Sequence, residues 1–189
     1  MEHSDWELVR QCKHGDREAF RELVERYQRK AVAIAFGIVQ DREDAMEIAQ
    51  EAFAKVFTGI QKFKEESSFY TWLYRITVNL AIDRQRQKNR QPLFEREEQG
   101  EGESAGIESI PDAKEADPYE QVKEKELGER IRAALAELTP AHKAVILLRE
   151  VEGLSYEEIS EVLQCSRGTV MSRLHYARKK LQSRLGQDL

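Results

Sequence analysis

The residues with the clearest chemical meaning lie near the carboxyl end, where cations occur without any acidic residue. The segment from Gln164 to Leu185 contains no aspartate or glutamate. Its cations are Arg167, Arg173, Arg178, Lys179, Lys180 and Arg184. Such a segment suits nucleic-acid phosphates, because neutralising them releases condensed counterions. The alternative interpretation is a helix with a solvated basic face.

Two helices with a tight turn between them must position these cations. Ser155 and Glu158 fit a capping box at the start of the first helix, and Ser166 can cap the second. The apolar residues of both helices follow helical spacing. They are Ile159, Val162 and Leu163, followed by Val170, Leu174, Ala177 and Leu181. This pattern predicts a helix-turn-helix, whose second helix enters the DNA major groove.

A second candidate nucleic-acid surface lies at residues 63–90, where aromatic residues precede basic ones. The aromatics are Phe63, Phe69, Tyr70, Trp72 and Tyr74, and the cations are Arg84, Arg86, Lys88 and Arg90. Bases of a single strand stack on aromatic rings with about 1–3 kcal/mol each, while cations follow its backbone. Because Phe69, Tyr70 and Tyr74 cannot all face one core, we expect part of this set to remain accessible. The alternative is an aromatic-rich core with a basic helix end.

The amino-terminal part predicts further amphipathic helices. One covers residues 4–13, a long one follows Asp16, and a third begins after Asp41. The third helix should bury Ile48 and Phe53 among its apolar residues. Its other side is mostly acidic and consists of Asp44, Glu47, Gln50, Glu51 and Lys55. Composition alone favours a solvated surface for that side.

Charge divides the 189-residue chain into parts. The formal net charge is −5, yet the segment from Glu95 to Glu120 holds ten acidic residues against Arg96 and Lys114, so the remainder is net positive. Residues 91–118 lack helical periodicity, which predicts a flexible acidic linker. That linker could repel DNA, occupy a basic groove of a partner or only maintain solubility. We therefore expect an all-α protein with two small helical domains, 1–90 and 119–189, and a helix-turn-helix in the second.

Several function classes lack support in the sequence. Cys12 and Cys165 lie far apart, and no cysteine–histidine spacing suits a zinc site. We expect both cysteines to be small buried thiols. No nucleophile–base pair or phosphate-binding glycine loop is evident, so we expect no enzyme, metal, cofactor or small-molecule substrate. The polar start and the lack of a long apolar run predict a cytoplasmic protein.

Two groups of motifs resemble the extracytoplasmic-function group of bacterial sigma factors, and most closely its sigma-E branch. The amino-terminal motifs are GDREAFRELVERYQ, DREDAMEIAQEAFAKVF and FYTWLYRITVNLAIDRQRQ. The carboxy-terminal motif is LTPAHKAVILLREVEGLSYEEISEVLQCSRGTVMSRLHYARKKL. The resemblance implies a promoter-specificity subunit of RNA polymerase that serves a stress-type or envelope-type regulon. It assigns sigma region 2 to residues 1–90 and sigma region 4 to residues 119–189.

The resemblance implies that the third helix docks on the clamp helices of the β′ subunit of core polymerase, while the carboxy-terminal domain meets the β flap. On this resemblance, the acidic outer side is expected to be a surface that binds a partner and not only a solvated surface. The expected docking residues are Asp44, Glu47, Ile48, Gln50, Glu51, Phe53, Lys55 and Phe57.

The resemblance further implies that the aromatic–basic segment melts the promoter and reads the −10 element on the non-template strand. Ser67, Ser68, Phe69 and Tyr70 would form the loop that captures a flipped base, whose extrusion costs a few kcal/mol. Trp72 and Tyr74 would lie at the duplex junction, and Asn79 would read a base edge. The expected phosphate contacts are Arg75, Arg84, Arg86 and Lys88.

The helix-turn-helix would read the −35 element as duplex. The expected contacts are Ser166, Arg167, Thr169, Met171, Ser172, Arg173, His175, Tyr176 and Arg178. At Met171, His175 and Tyr176 the sequence departs from sigma-E-like members, which tend to have arginine or a large aromatic there. Methionine cannot make the bidentate contact with guanine that arginine makes, so the sigma-E promoter sequence does not transfer unchanged. The principal contacts are expected from Ser172, Arg173 and Arg178, with Arg167 on phosphate.

The resemblance also implies a regulator, namely an anti-sigma factor that is often anchored in the inner membrane and wraps both domains. The linker would then permit a compact, inhibited arrangement and an extended one on the polymerase. A hypothesis of another class is a stand-alone helix-turn-helix regulator with a sensing amino-terminal domain. That hypothesis predicts stable dimers and high duplex affinity without polymerase, and it leaves the aromatic segment unexplained.

Overall fold

The computed structural model describes residues 3–64, 66–90 and 118–186, with side chains from residue 126 in the last range. Within these ranges every regular element is helical, which confirms the predicted all-α class. The linker predicted for residues 91–118 lies outside the described residues apart from its last position.

Four α-helices form the amino-terminal part, and two of them begin directly after aspartates, of which the sequence predicts Asp16 as a cap. The helices are α1 (Asp5–Lys13), α2 (Arg17–Val39), α3 (Arg42–Gly59) and α4 (Phe69–Arg90), with a 3₁₀ turn at Ile60–Lys62. Asp16 accepts hydrogen bonds from the first amides of α2, and Asp41 does so for α3. A carboxylate at this position satisfies amides that have no helical partner.

Four further helices form the carboxy-terminal part. They are α5 (Pro118–Ala136), α6 (Pro140–Ile146), α7 (Tyr156–Leu163) and α8 (Arg167–Leu185), and α6 continues into a π-helical turn at Leu147–Val151. Thr139 caps α6, Ser155 and Glu158 form the predicted capping box of α7, and Ser166 caps α8. Gln164 adopts a left-handed conformation between α7 and α8, which ends the first helix and turns the chain into the second. The predicted helix-turn-helix is therefore present.

Helix α2 lies at the centre of the amino-terminal core and packs against α1, α3 and α4. Its buried residues include Leu23, Ile34 and Ile38, which meet Ile48 of α3 and Leu73 of α4 in one cluster. Each fully buried aliphatic side chain of this size contributes about 1.5–3 kcal/mol. This core holds α3 and α4 side by side with their opposite faces outward.

The two parts of the chain pack against each other. Helix α7 lies on α4, and α6 lies on the carboxyl half of α2. They approach closely at Gly37, where a Cβ atom would lie 2.5 Å from Leu147 Cδ1. The side chain of Leu147 thus fills the space that the missing Gly37 side chain leaves open.

Candidate polymerase and nucleic-acid interface

The exposed side of α3 carries most of the residues predicted to dock on polymerase. Glu47, Gln50, Glu51, Lys55 and Phe57 are exposed. The aromatic ring of Phe57 is half exposed and packs edge-on against Phe20, with ring centroids 5.0 Å apart. This side of α3 therefore combines an exposed apolar ring with acidic side chains, and both could contribute to binding a partner.

Ile48 and Phe53 lie inside the core, in agreement with the helical periodicity. They support the predicted docking face from behind, so the prediction that they belong to its surface is wrong. Met46 was missed by the sequence reasoning, although it is 43% exposed on the outer side of α3. The signal was its position one helical turn before Gln50.

Asp44 does not lie on the exposed side of α3, so that part of the prediction is wrong. Its side chain is 8% exposed, because α4 packs beside α3 and brings two cations to it. Arg84 Nη1 donates to Asp44 Oδ1 at 2.5 Å, and Lys88 Nζ lies 2.5 Å from Asp44 Oδ2. Burial lowers the pKa of Lys88, but its contact with the Asp44 carboxylate outweighs this and raises the pKa.

The loop before α4 is held by its own serine. Ser68 Oγ accepts the amide of Thr71 at 3.2 Å and lies 2.7 Å from Thr71 Oγ1. This is the geometry of a helix cap. Ser67 and Ser68 are both half-buried, so the short loop is presented on a rigid helix start.

The aromatic residues of α4 are more deeply placed than the sequence suggested. Phe69 and Tyr74 are each 1% exposed, while Tyr70 and Trp72 are half-buried. Trp72 stacks on Phe63 with centroids 4.6 Å apart. Tyr74 is buried partly by the amino-terminal core and partly by the carboxy-terminal part of the chain. Sequence periodicity does not reveal the second contact.

The cations of α4 divide into two sets. Arg84 and Lys88 are both bound to carboxylates of α3. In addition to its contact with Asp44, Arg84 donates to Glu47 Oε2 at 3.1 Å. Arg86 is exposed and lies 3.7 Å from Asp83, and Arg75 is half-buried. Asn79, which is predicted to read a base edge, is exposed on the same helix. The predicted phosphate contacts therefore lie on one helix but have different intramolecular partners.

Helix α8 separates its apolar residues from its predicted DNA contacts. Val170, Leu174 and Ala177 are buried. The predicted contacts that are exposed are Ser166, Arg167, Met171, Ser172, His175, Tyr176 and Arg178, and the half-buried ones are Thr169 and Arg173. Met171 is 54% exposed, so its thioether is accessible to the edge of a base.

Two of the arginines of α8 that are predicted to contact DNA have carboxylate partners. Arg167 Nη1 lies 2.8 Å from Glu157, and Arg178 Nη2 lies 2.6 Å from Glu150. All four side chains are about half exposed or more. Exposed pairs of this kind contribute about 0–1 kcal/mol, so phosphate can replace the carboxylates at little cost.

A group of polar contacts joins the two parts of the chain, and the sequence reasoning missed it entirely. Tyr70 donates its hydroxyl to Glu158, and Tyr74 donates to Glu152 Oε2 at 2.8 Å. Lys143 is buried and donates to the Ile38 carbonyl oxygen at 3.2 Å. Burial raises the pKa of Tyr74, and the hydrogen bond to Glu152 raises it further. Burial lowers the pKa of Lys143.

Cys12 is buried, as predicted, whereas Cys165 is only half-buried because it lies in the turn between α7 and α8. Across the described ranges there is no group of three or more histidines, cysteines and carboxylates that could hold a metal ion. No described helix is both long and apolar enough to span a membrane.

Comparison with known proteins matches both parts of the chain to one family. Sigma-70 region 2 matches residues 23–91, and Sigma-70 region 4 matches residues 128–181. The chain belongs to the sigma-70 family. The extracytoplasmic-function (ECF) RNA polymerase sigma-E factor of Haemophilus influenzae is 36% identical over 185 residues, which cover 96% of this chain and 95% of the relative.

This sigma factor also resembles solved structures in fold. CnrH, solved in complex with the cytosolic domain of CnrY, has a TM-score of 0.69 at 22% identity and covers 98% of this chain and 99% of CnrH. The sigma factor RpoE of Bartonella quintana, solved with the anti-sigma factor NepR, has a TM-score of 0.64 at 23% identity and covers 90% of this chain and 98% of RpoE. The chain is thus an ECF-type sigma factor that functions in transcription initiation, and a stand-alone regulator is not favoured.

Proposed function

We propose that this sigma factor divides promoter recognition and polymerase binding among three helices. The outer side of α3 docks on the β′ clamp helices of core polymerase. The loop before α4 and α4 itself melt the promoter and read the −10 element as a single strand. Helix α8 reads the −35 element as duplex, and the domain that carries it meets the β flap.

The observation that carries the proposal is the division of faces on α8. Its buried side is fully apolar, and the side turned to solvent carries the residues predicted to contact DNA. A helix that enters the major groove needs this division, because one side must hold it on its own domain while the other reaches base edges. Arg173 and Arg178 supply the guanidinium groups suited to guanine.

The contacts of Arg84 and Lys88 support a link between the other two functions. These cations of α4 are held by carboxylates of α3, at Asp44 and Glu47. Docking of α3 on a basic polymerase surface competes for the exposed carboxylate of Glu47, which makes Arg84 Nη2 available to phosphate while Nη1 stays bonded to Asp44. Polymerase binding and strand binding therefore support each other.

The first test is run-off transcription by bacterial core polymerase, with and without the protein, on a promoter library. We expect initiation only when the protein is present, from start sites that share two upstream motifs. No gain of initiation, together with tight binding of duplex DNA by the free protein, would overturn the proposal in favour of a stand-alone regulator.

A pair of charge reversals tests the docking surface. We expect Glu51→Lys on α3 to weaken core binding by about tenfold or more, because like charges at an interface repel. Glu25→Lys on α2 is the matched control, since Glu25 is also exposed and pairs with a cation of its own helix. Equal effects of both variants in a core-binding titration would contradict the assignment of α3.

We also propose regulation by an anti-sigma factor whose cytosolic part binds this cytoplasmic protein and holds it at the inner membrane. The basis is the fold shared with CnrH and with the Bartonella RpoE, both of which were solved with a protein partner. In fractionated cells the sigma factor should sediment with membranes before induction and with core polymerase afterwards. Its presence in the soluble fraction under all conditions would contradict membrane tethering.

A further inference from the structure

The ring of Tyr176, a predicted DNA contact of α8, packs against a residue of another helix. Tyr176 is 53% exposed, so much of its surface is free to meet a base. Its partner is the imidazole of His142 on α6, and the two ring centroids lie 4.6 Å apart with an interplanar angle of 39°. Ring pairs at this distance attract each other beyond the effect of their buried area.

His142 is itself held in place by the residue that begins α6. The Nδ1 atom of His142 lies 2.6 Å from Thr139 Oγ1. The same hydroxyl oxygen caps the helix and accepts the backbone amide of His142 at 3.5 Å. Because the side chain and the backbone of His142 are bonded to one hydroxyl, its half-buried imidazole has a fixed orientation against α8.

The charge around His142 keeps its ring neutral. Burial lowers the pKa of His142, and the positive charge of Arg173 lowers it further. A neutral imidazole does not repel the guanidinium of Arg173, which is one of the principal predicted DNA contacts. His142 is therefore close to two predicted contacts, through its ring at Tyr176 and through the charge of Arg173.

We infer that His142 is a positioning residue for −35 recognition, which fixes the ring of Tyr176 on α8 before DNA binds. Helix α6 then contributes to base preference without touching DNA. The inference rests on the proposed reading of the −35 element by α8. It goes beyond that proposal, because His142 lies outside the helix-turn-helix and belongs to no predicted contact.

The order of the Tyr176 ring in the free protein gives the expected size of the effect. An exposed side chain that must be immobilised on binding costs about three- to tenfold in affinity. The stack on His142 reduces this cost, since the ring is already ordered. An aromatic ring at a base edge makes an apolar contact with the thymine methyl group in the major groove. Loss of His142 should therefore weaken binding to the preferred −35 sequence more than to other sequences.

Three variants of His142 separate its ring from its hydrogen bond. His142→Ala removes both, His142→Phe keeps a ring against Tyr176 without a polar atom for Thr139, and His142→Gln keeps a polar group without a ring. The matched control is His14→Ala, since His14 also has a bonded Nδ1, 2.8 Å from the Arg10 carbonyl oxygen, but lies at the end of α1. Circular dichroism and thermal melts establish that each variant is folded.

The experiment measures the affinity of reconstituted holoenzyme for two promoters that differ only in the −35 element. One carries the motif found by run-off transcription, and the other carries that motif scrambled. We expect His142→Ala and His142→Gln to lower the ratio of the two affinities about three- to tenfold. His142→Phe and His14→Ala should leave the ratio nearly unchanged, because the ring pair is retained in both.

A purely structural role of His142 predicts different results. Equal losses of affinity on both promoters, or an unchanged ratio in His142→Ala, would overturn the inference. Recovery of the ratio by glutamine but not by phenylalanine would also overturn it, because the hydrogen bond and not the ring would then be the cause.

A double-mutant cycle tests whether His142 acts through Tyr176. In a chain that carries Tyr176→Ala, the change His142→Ala should cause no further loss of the affinity ratio, since the ring that His142 supports is absent. Losses that add in the double variant would contradict the positioning role.

The outcomes separate this inference from the proposed function. If wild-type holoenzyme does not prefer the −35 motif, the proposed role of α8 fails and the inference fails with it. If the preference is present and Tyr176→Ala lowers it but His142→Ala does not, only the inference fails. If Tyr176→Ala leaves the preference intact, the inference fails while the other contacts of α8 stand.

Discussion

At the scale of single residues, Asp44 is the clearest case of a charged side chain whose burial depends on its ion-pair partners. The sequence predicts it at the surface, but it is almost fully buried, with Arg84 and Lys88 on its two oxygens. A buried carboxylate is stable only when its partners are present, because the charge has lost its hydration. Asp44 therefore fixes α4 on α3 and sets the direction in which both cations point.

Replacement of Asp44 by asparagine should destabilise the protein by about 1.5–3 kcal/mol, the range for hydrogen bonds to charged groups. Urea unfolding measures the change. Glu51→Gln is the control, because the Glu51–Lys55 pair is about half exposed and should contribute less than about 1 kcal/mol. A loss of equal size in both variants would contradict the structural role of Asp44.

Cys12 should be far less reactive than Cys165. Burial, together with the charge of Asp16, raises the pKa of the Cys12 thiol to about 11, so its thiolate is scarce at neutral pH. Iodoacetamide at pH 8 should modify Cys165 first and Cys12 only on unfolding, as followed by mass spectrometry. Equal rates at the two cysteines would contradict the burial of Cys12.

The same thiol predicts a pH dependence of stability. The ordinary thiol pKa is 9.0 and the folded value is about 11, so the unfolded chain loses its proton first as the pH rises. The contribution of Cys12 is complete below pH 9 and declines between pH 9 and 11. Urea midpoints of wild type and Cys12→Ala across this range should converge, and parallel curves would refute the linkage.

We expect Met171 to contribute to the base preference of the proposed −35 contact. Met171→Arg should shift the preferred base at one position towards guanine by about 1–3 kcal/mol, because arginine pairs with O6 and N7. Run-off transcription on promoters with a randomised −35 element measures the shift. Gln182→Arg, which adds the same charge farther along α8, should change affinity without changing base preference.

At the scale of elements, the turn before α7 depends on a backbone conformation. Gly153 has φ of +71°, which disfavours side chains even though a Cβ atom at this position would meet no other atom within 4 Å. This turn ends the π-helical segment and directs α7 onto α4. The same turn carries Glu152, so its geometry determines which charge reaches Tyr74.

Gly153→Ala should cost roughly 1–3 kcal/mol through backbone strain alone. The matched control is Gly186→Ala, since Gly186 also has open space around it but an ordinary φ of −85°. Thermal unfolding should show a lower Tm for the first variant only. A similar decrease in both would indicate a cause other than the left-handed backbone.

At the scale of the whole molecule, the free protein should bind duplex promoter DNA weakly. Its net charge is −5, its cations are paired with carboxylates in several places, and Tyr70 and Tyr74 of α4 are bonded to the carboxy-terminal domain. Electrophoretic shifts with duplex promoter should therefore require core polymerase. Tight binding by the free chain in moderate salt would contradict the proposed dependence of promoter binding on core polymerase.

The helices, their caps and their apolar faces can be derived from the sequence, because each depends on residues within one or two turns. The structure confirms the capping box of Ser155 and Glu158, the caps at Asp16 and Ser166, and the inward direction of Ile48 and Phe53. The family resemblance is carried by the same local motifs and is confirmed by the comparisons. The individual DNA and polymerase contacts remain predictions.

Only the tertiary structure decided which charges meet. Asp44 and Arg84 are 40 positions apart, Tyr74 and Glu152 are 78 apart, and Ile38 and Lys143 are 105 apart. Periodicity shows which side of a helix is apolar, but it does not show which other helix will cover the remaining side. Burial of Asp44, Tyr74 and Lys143 follows from the packing of α3 on α4 and of one domain on the other, since only that packing supplies the partners that stabilise these groups away from water.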